Sequence, residues 1–200
     1  DWERGITDAL MPLLPAPIER DELARRYIAT EAKVESESYR RYRDVLDDAG
    51  RRLLTSLGVD APSPLPASLP AWRPFAEVSA ALAELRRRGH KIAILSNVDR
   101  DLIAASIPQL GLEPDLVVTA EDSGSYKPAP GHWRVFRERS GAAVEATIHV
   151  GASQYHDMRP AAALGYRTVF VDRHGEKLET APTRVIKDLG PLSDAIDALE

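Results

Sequence analysis

The stretch His90-Lys91-Ile92-Ala93-Ile94-Leu95-Ser96-Asn97-Val98-Asp99-Arg100-Asp101 decides the fold. Ile92 to Leu95 form an unbroken apolar run. They follow a helical pattern closed by Gly89 and stop abruptly at Ser96 and Asn97. A short continuous apolar run between turn signals fits a strand buried on both faces, as in a parallel sheet. Burying Ile92, Ile94 and Leu95 contributes about 1.5–3 kcal/mol each, so the core holds this strand firmly. Its end presents a hydroxyl and an amide beyond the carboxyl edge of the sheet, where open α/β sheets bind ligands.

Outward from this strand the rhythm alternates. On its N-terminal side, Glu77 to Arg88 carries Val78, Leu82 and Leu85 on one helical face. On its C-terminal side the pattern predicts a helix over 99–110 capped by Asp99, then a strand over 116–119. A helix over 130–139 comes next, with Pro130 suited to its first turn. Further on come a strand over 147–150, a helix over 157–164 ended by Gly165, a strand over 167–171 and a last helix over 191–199. Strands alternating with helices imply a parallel sheet covered by helices, an α/β fold.

The first sixty residues have no such alternation. Ile6, Ala9, Leu10, Leu13 and Leu14 recur at helical spacing until Pro15 and Pro17 break them. A long charged helix opens at Arg20 or Asp21 and runs through Leu23, Tyr27 and Val34, with a break near Ser36-Glu37-Ser38. Val45, Leu46, Ala49, Leu53, Leu54 and Leu57 make a third apolar stripe, and Gly58 suits its stop. This segment reads as a helical bundle, or as a lid over a site elsewhere. Pro62, Pro64, Pro66, Pro70 and Pro74 then predict a stiff, extended connector, which sets the domain boundary. Trp72 and Phe75 beside it are expected to anchor the hinge.

Composition bounds what such a chain does. It has 200 residues, 44% of them hydrophobic, enough for a real core. A net charge of −5 gives no basic footprint for nucleic acid. The absence of cysteine removes disulfides, thiolate nucleophiles and thiolate metal sites. No apolar run approaches a membrane span and no signal peptide opens the sequence, so the expectation is a cytoplasmic protein with no membrane partner.

Three polar clusters lie just after three of the expected strands. Ser96-Asn97 lies beside a helix N-terminus, which points free N–H groups at an anion; it also reads as a simple strand-to-helix turn. Ser125-Tyr126-Lys127-Pro128 carries a lysine in a backbone restricted by Pro128 and Pro130. That lysine could hold an anionic intermediate or offset carboxylates, or it could be a surface lysine. In Gly151-Ala152-Ser153-Gln154-Tyr155-His156-Asp157, Asp157 reads either as a helix cap or as a positioned acid, base or partner for Lys127. Taken together, the clusters would converge on one edge of the sheet.

This combination resembles the haloacid dehalogenase superfamily. Leu95-Ser96-Asn97 is similar to its second motif, Lys127-Pro128 to its third, and Val150 to Asp157 to its fourth. The opening Asp1-Trp2-Glu3-Arg4-Gly5-Ile6 resembles the segment just after the first motif in members close to the L-2-haloacid dehalogenases. The resemblance covers nearly the whole chain and implies a Rossmann-like core over 73–200, with a helical cap domain and proline-rich connector over 1–72. It also implies an aspartate nucleophile, in a motif of the form Asp-x-x-Gly-Thr, on a central strand upstream of Asp1. The first core strand is therefore expected to be absent from this sequence. Asp1 itself, with no strand before it, is not that nucleophile.

What the resemblance implies about chemistry is an aspartyl-ester hydrolase of small anionic substrates, with a homodimer as its assembly. Ser96, Lys127 and Asp157 would be catalytic. Asn97, Ser153, Gln154 and Trp133 would bind substrate, Trp133 otherwise packing with Phe136 in the core. Phosphatases of the superfamily put an acid directly after the glycine of the fourth motif to bind magnesium; here that place is Ala152. The expectation is thus no metal and no cofactor, and a 2-haloacid dehalogenase-like reaction. Two departures stand against it. His156 and Gln154 replace the usual aromatic and asparagine, and Thr30 or Glu31 lies where dehalogenases carry a halide-holding arginine. A magnesium-dependent phosphatase and a non-catalytic binding or oligomerisation module are the alternatives. His149 is expected to be structural, and His132 and His174 have no partners for a metal site.

Overall fold

The computed structural model describes residues 1–199; Glu200, the last residue of the expected second domain, lies outside the described residues. The chain divides into two units. One holds Asp1–Phe75 and Val98–Gln109, the other Ala76–Asn97 and the chain from Leu110 onward.

The first unit is helical. Helix α1 (Trp2–Leu10) starts at Asp1, whose carboxylate accepts the Arg4 N–H at 3.1 Å, so Asp1 is a cap. Helices α2 (Arg20–Glu37) and α3 (Tyr42–Ser56) pack through fully buried Leu23, Tyr27, Val34, Val45, Leu46 and Leu54. The proline segment departs from the extended connector expected of it. It folds into a short helix α4 (Leu65–Ser68) and a 3-10 turn (Leu69–Ala71). Proline's fixed φ suits the first turn of a helix, where its missing N–H costs nothing. Pro66 and Pro70 occupy such places, which lets Leu65 and Leu69 bury. Trp72 closes this unit: its indole packs edge-on against Trp2 at 4.8 Å between ring centroids and lies against Gly5, where a Cβ would fall 2.2 Å from its Cδ2.

Helix α6 (Arg100–Ser106) belongs to this unit, and its expected capping is corrected here. Asp99 sits at the N-cap position but makes no capping bond to its own helix. Its fully buried carboxylate instead accepts the N–H groups of Tyr42 (2.9 Å) and Arg43 (2.8 Å) at the start of α3. Those donors have no intrahelical partner, and helix α3 has no side-chain cap of its own.

The second unit is the α/β part. Strand β1 (Ala93–Ser96) pairs in parallel with β2 (Leu116–Thr119), while β3 (Ile148–Gly151), β4 (Arg167–Val171) and β5 (Arg184–Ile186) form a second parallel sheet. Among the described residues β1 and β3 each pair on one side only, as expected of a parallel sheet whose first, central strand is not in the sequence. Helix α5 (Val78–Arg87) and α10 (Leu192–Asp197) cover β3–β5 through Leu85, Val169, Val171, Ile186 and Ile196. Helix α7 (Ala120–Ser123) comes directly after β2, and α8 (Gly131–Ser140) packs Val135 and Phe136 against Val118. After β3 the chain makes a π-helical turn (Gln154–Met158) that leads into α9 (Arg159–Ala163). The turn is capped by Ser153, whose hydroxyl accepts the His156 N–H at 3.0 Å, so Asp157 lies inside the turn rather than at its cap.

Candidate active site

The three clusters sit at the carboxyl ends of β1, β2 and β3, within the second unit. Two of them meet. Lys127 Nζ donates to Asp157 Oδ1 at 2.7 Å, and the two side chains are only 12% and 11% exposed. Asp157 Oδ2 accepts the Ser153 N–H at 3.2 Å. The π-turn makes that possible, because it swings Asp157 back over the strand end. Gly151 makes room: a Cβ there would fall 2.5 Å from Asp157 Cβ.

Burial works to raise the Asp157 pKa, but the Lys127 ammonium and the hydrogen bonds from His149 and Lys127 outweigh it and hold the carboxyl well below its usual range. Asp157 is therefore ionised at neutral pH and acts as an acceptor only.

The cluster after β1 reaches the lysine through its backbone. Asn97 Oδ1 accepts the Lys127 N–H at 2.7 Å, and Asn97 Nδ2 donates to the Lys127 carbonyl at 3.3 Å. One side-chain amide thus engages both polar groups of the lysine's main chain. Ser96 ends β1 two steps before the helical unit resumes, and its carbonyl accepts from His132 Nε2 at 2.9 Å. His132 is fully buried, and burial lowers its pKa to about 4. It is neutral at physiological pH, with Nδ1 3.3 Å from Ser123 Oγ.

Of the remaining expected residues, Ser153 serves as the turn's cap. Gln154 is 8% exposed; its Oε1 accepts the Thr180 N–H at 3.1 Å, and its Nε2 is buried without a partner. Trp133 is 2% exposed, packs with Ala161 and Tyr166, and sets its ring 5.2 Å from that of His149. Phe136, expected beside it, belongs to a different cluster.

Two histidines were missed as members of this network. His149 Nε2 lies 3.4 Å from Asp157 Oδ1, the oxygen that Lys127 holds. The signal was strand alternation. Ile148 and Val150 pack into the core against α5 and α10, so His149 and Gly151 share the other face. For His132 no spacing rule pointed to Ser96.

A sequence profile of the haloacid dehalogenase-like hydrolases matches residues 19–165. The chain belongs to that family. Among curated relatives, this haloacid dehalogenase-like chain is 30% identical over 129 residues to a haloacetate dehalogenase of Moraxella sp. (strain B), covering 62% of this chain and 55% of that one. It is 35% identical over 119 residues to a phosphoserine phosphatase of Thermus thermophilus, covering 58% and 48%. The chain spans about half the length of these relatives. In fold it matches the L-2-haloacid dehalogenase of Xanthobacter autotrophicus with chloropropionic acid covalently bound. The TM-score is 0.87 at 19% identity, over 99% of this chain and 94% of that one. Among the described residues no helix is long and apolar enough to cross a membrane.

In the helical unit, Glu31 is one of the two residues, with Thr30, near the place where the resemblance expects an arginine. Its Oε1 accepts from the hydroxyls of Tyr27 (3.1 Å) and Tyr42. Burial, then the charge of Glu31, pushes both phenols well above their usual pKa, so both remain donors.

Proposed function

We propose that this chain belongs to a metal-independent hydrolase that acts on a small carboxylated substrate, in the manner of a 2-haloacid dehalogenase. The observation that carries the reading is the buried Lys127–Asp157 pair beside Ala152. The nucleophilic aspartate, supplied from upstream of Asp1, attacks the carbon that bears the leaving group. A C–O bond forms, the carbon–halogen bond breaks, and halide departs with its electron pair. Water then attacks the carbonyl carbon of the aspartyl ester and the acyl C–O bond breaks. One of its protons goes to the departing alkoxide to give the 2-hydroxy acid, the other is released to solvent, and the aspartate returns as carboxylate.

Lys127 offsets the negative charge of nucleophile and substrate, and that charge is felt strongly because the ammonium is largely buried. Asp157, ionised and acceptor-only, fixes the ammonium in place and orients the water. The Ser96 hydroxyl and the Gln154 amide are donors for the substrate carboxylate, with Ser153, Asn97 and Trp133 framing the same strand ends. The helices of residues 1–72 serve as the cap.

Magnesium chemistry fits these residues poorly. The ion takes oxygen ligands in a near-octahedral set, and Ala152 offers a methyl group. Asp157 Oδ1 already receives Lys127. The test is a paired assay on the chain extended upstream through its first strand. Halide release from 2-chloropropionate that chelator leaves untouched supports the reading, and it should vanish in Lys127→Met. Phosphate release abolished by chelator refutes it in favour of the phosphatase, and inactivity against a broad panel favours a non-catalytic module.

A further inference from the structure

We infer that His149 is a positioning residue for the Lys127–Asp157 pair, acting as the second side-chain donor to the carboxylate. The inference rests on the hydrolase reading above for its kinetic consequence, and on geometry alone for the contact.

An ionised carboxylate only accepts hydrogen bonds. The Lys127 ammonium, 2.7 Å from Oδ1, favours the ionised form of Asp157, so the imidazole nitrogen that faces it must carry the proton. His149 Nε2, 3.4 Å from Oδ1, is that donor. Oδ1 thereby serves two donors, Lys127 Nζ at 2.7 Å and His149 at 3.4 Å, while Oδ2 serves the Ser153 N–H at 3.2 Å.

The arrangement has two consequences. The carboxylate's charge is shared, so the lysine's ammonium is steadied without being wholly neutralised and retains charge for a substrate anion. The carboxylate is also fixed from two directions, by a strand residue on one side and a loop residue on the other. Trp133 completes the support. Its ring lies 5.2 Å from the imidazole at 51°, and it is itself buried, so the imidazole rests against a surface that does not move with solvent. The indole thus packs on this histidine.

The experiment compares His149→Leu, which keeps the bulk against Trp133 but donates nothing, with His149→Gln, whose amide nitrogen reaches the place of Nε2. Both are made in the upstream-extended chain. In His149→Leu, kcat should fall about tenfold, the size expected for losing one hydrogen bond to a charged group, with KM changed less than twofold. His149→Gln should recover most of that loss. The side-chain carboxyl 13C resonance of Asp157 at neutral pH should move in the leucine variant and return in the glutamine variant. A leucine variant with wild-type kcat and an unmoved Asp157 resonance overturns the inference. So does a kcat loss that tracks thermal stability and is not rescued by glutamine. If Lys127→Met remains active, the hydrolase mechanism fails instead, and the Asp157 resonance still decides the role of His149.

Discussion

Gly151→Ala should disable the site without replacing any polar group. Gly151 does not have a positive φ, so alanine meets no backbone strain there. The added methyl carbon would instead fall 2.5 Å from Asp157 Cβ, 2.6 Å from Cγ and 2.7 Å from Oδ2. Ordinary contact begins at about 3.4 Å, so Asp157 must retreat by about 0.9 Å, the difference between 3.4 and 2.5. Cβ is bonded to the main chain, so a rotamer change alone cannot relieve this, and the π-turn itself must shift. If that retreat is directed away from Lys127, the 2.7 Å bond opens to about 3.6 Å, beyond hydrogen-bond range.

Overpacking of this kind costs about 1–3 kcal/mol of stability, and a 1 Å misplacement in a catalytic constellation costs on the order of 100-fold in rate. Urea unfolding of the chain reads the first, and kcat of the upstream-extended chain reads the second. The decisive measurement is a cycle with Asp157→Gly, which removes all three clashing atoms. In that background the Gly151→Ala cost should fall below about 0.5 kcal/mol, as for sites that no longer touch. An equal cost in both backgrounds, or no cost in either, refutes the reasoning.

Three further outcomes are expected. Asp99→Ala should destabilise the chain by about 2 kcal/mol in urea unfolding, the upper end for a lost cap, because two N–H groups of α3 lose their acceptor; Asp99→Asn should recover part of this. Gly5→Ala places a methyl within 2.2–2.8 Å of the Trp72 ring and should cost about 1–3 kcal/mol, with a shift in tryptophan emission. Because the Asp157 pKa is depressed in the folded state, the unfolded chain binds the extra proton first on acidification. Its contribution to stability is full above the unfolded pKa of about 3.9 and is lost as pH falls toward the folded value. Wild-type urea midpoints should therefore drop more steeply below about pH 4 than those of Asp157→Asn.

The strands were the most legible part of the chain, because a short apolar run between turn signals marks them. Among the strands so read, full burial holds only for parts of β2 and β4, whereas Ile92, Ile94 and Leu95 at β1 are half-buried rather than enclosed on both faces as expected. Leu116–Thr119 and Arg167–Val171 form strands over the ranges their sequence predicts. Arg184–Ile186 went unread: only three residues long, with Arg184 and Val185 exposed, it shows neither alternation nor a continuous apolar run. The proline segment misled because proline count suggests extension. The buried pair Leu65 and Leu69, four apart, was the counter-signal. Asp99 shows a different limit. A capping residue at a helix start reads as the cap of that helix, yet its carboxylate serves a helix begun 57 positions earlier, which no local pattern records.

The candidate site was legible by residue type and spacing, but its internal wiring was not. Lys127 and Asp157 lie 30 positions apart, and the contact between them depends on two non-local facts. One is the parallel order of strands, which brings successive strand ends to a common edge. The other is the way each partner is fixed before they meet. A lysine side chain carries about 2 kcal/mol of rotamer entropy, which a loose loop would squander. Asp157 holds the ammonium itself, and Asn97 fixes the main chain it extends from by binding the lysine's N–H and carbonyl as a neighbouring peptide would. Ser153 and His149 do the same for the carboxylate. An asparagine that would read as a substrate ligand thus spends its amide on the lysine's main chain, and the charge that meets substrate is delivered by a residue already held in place.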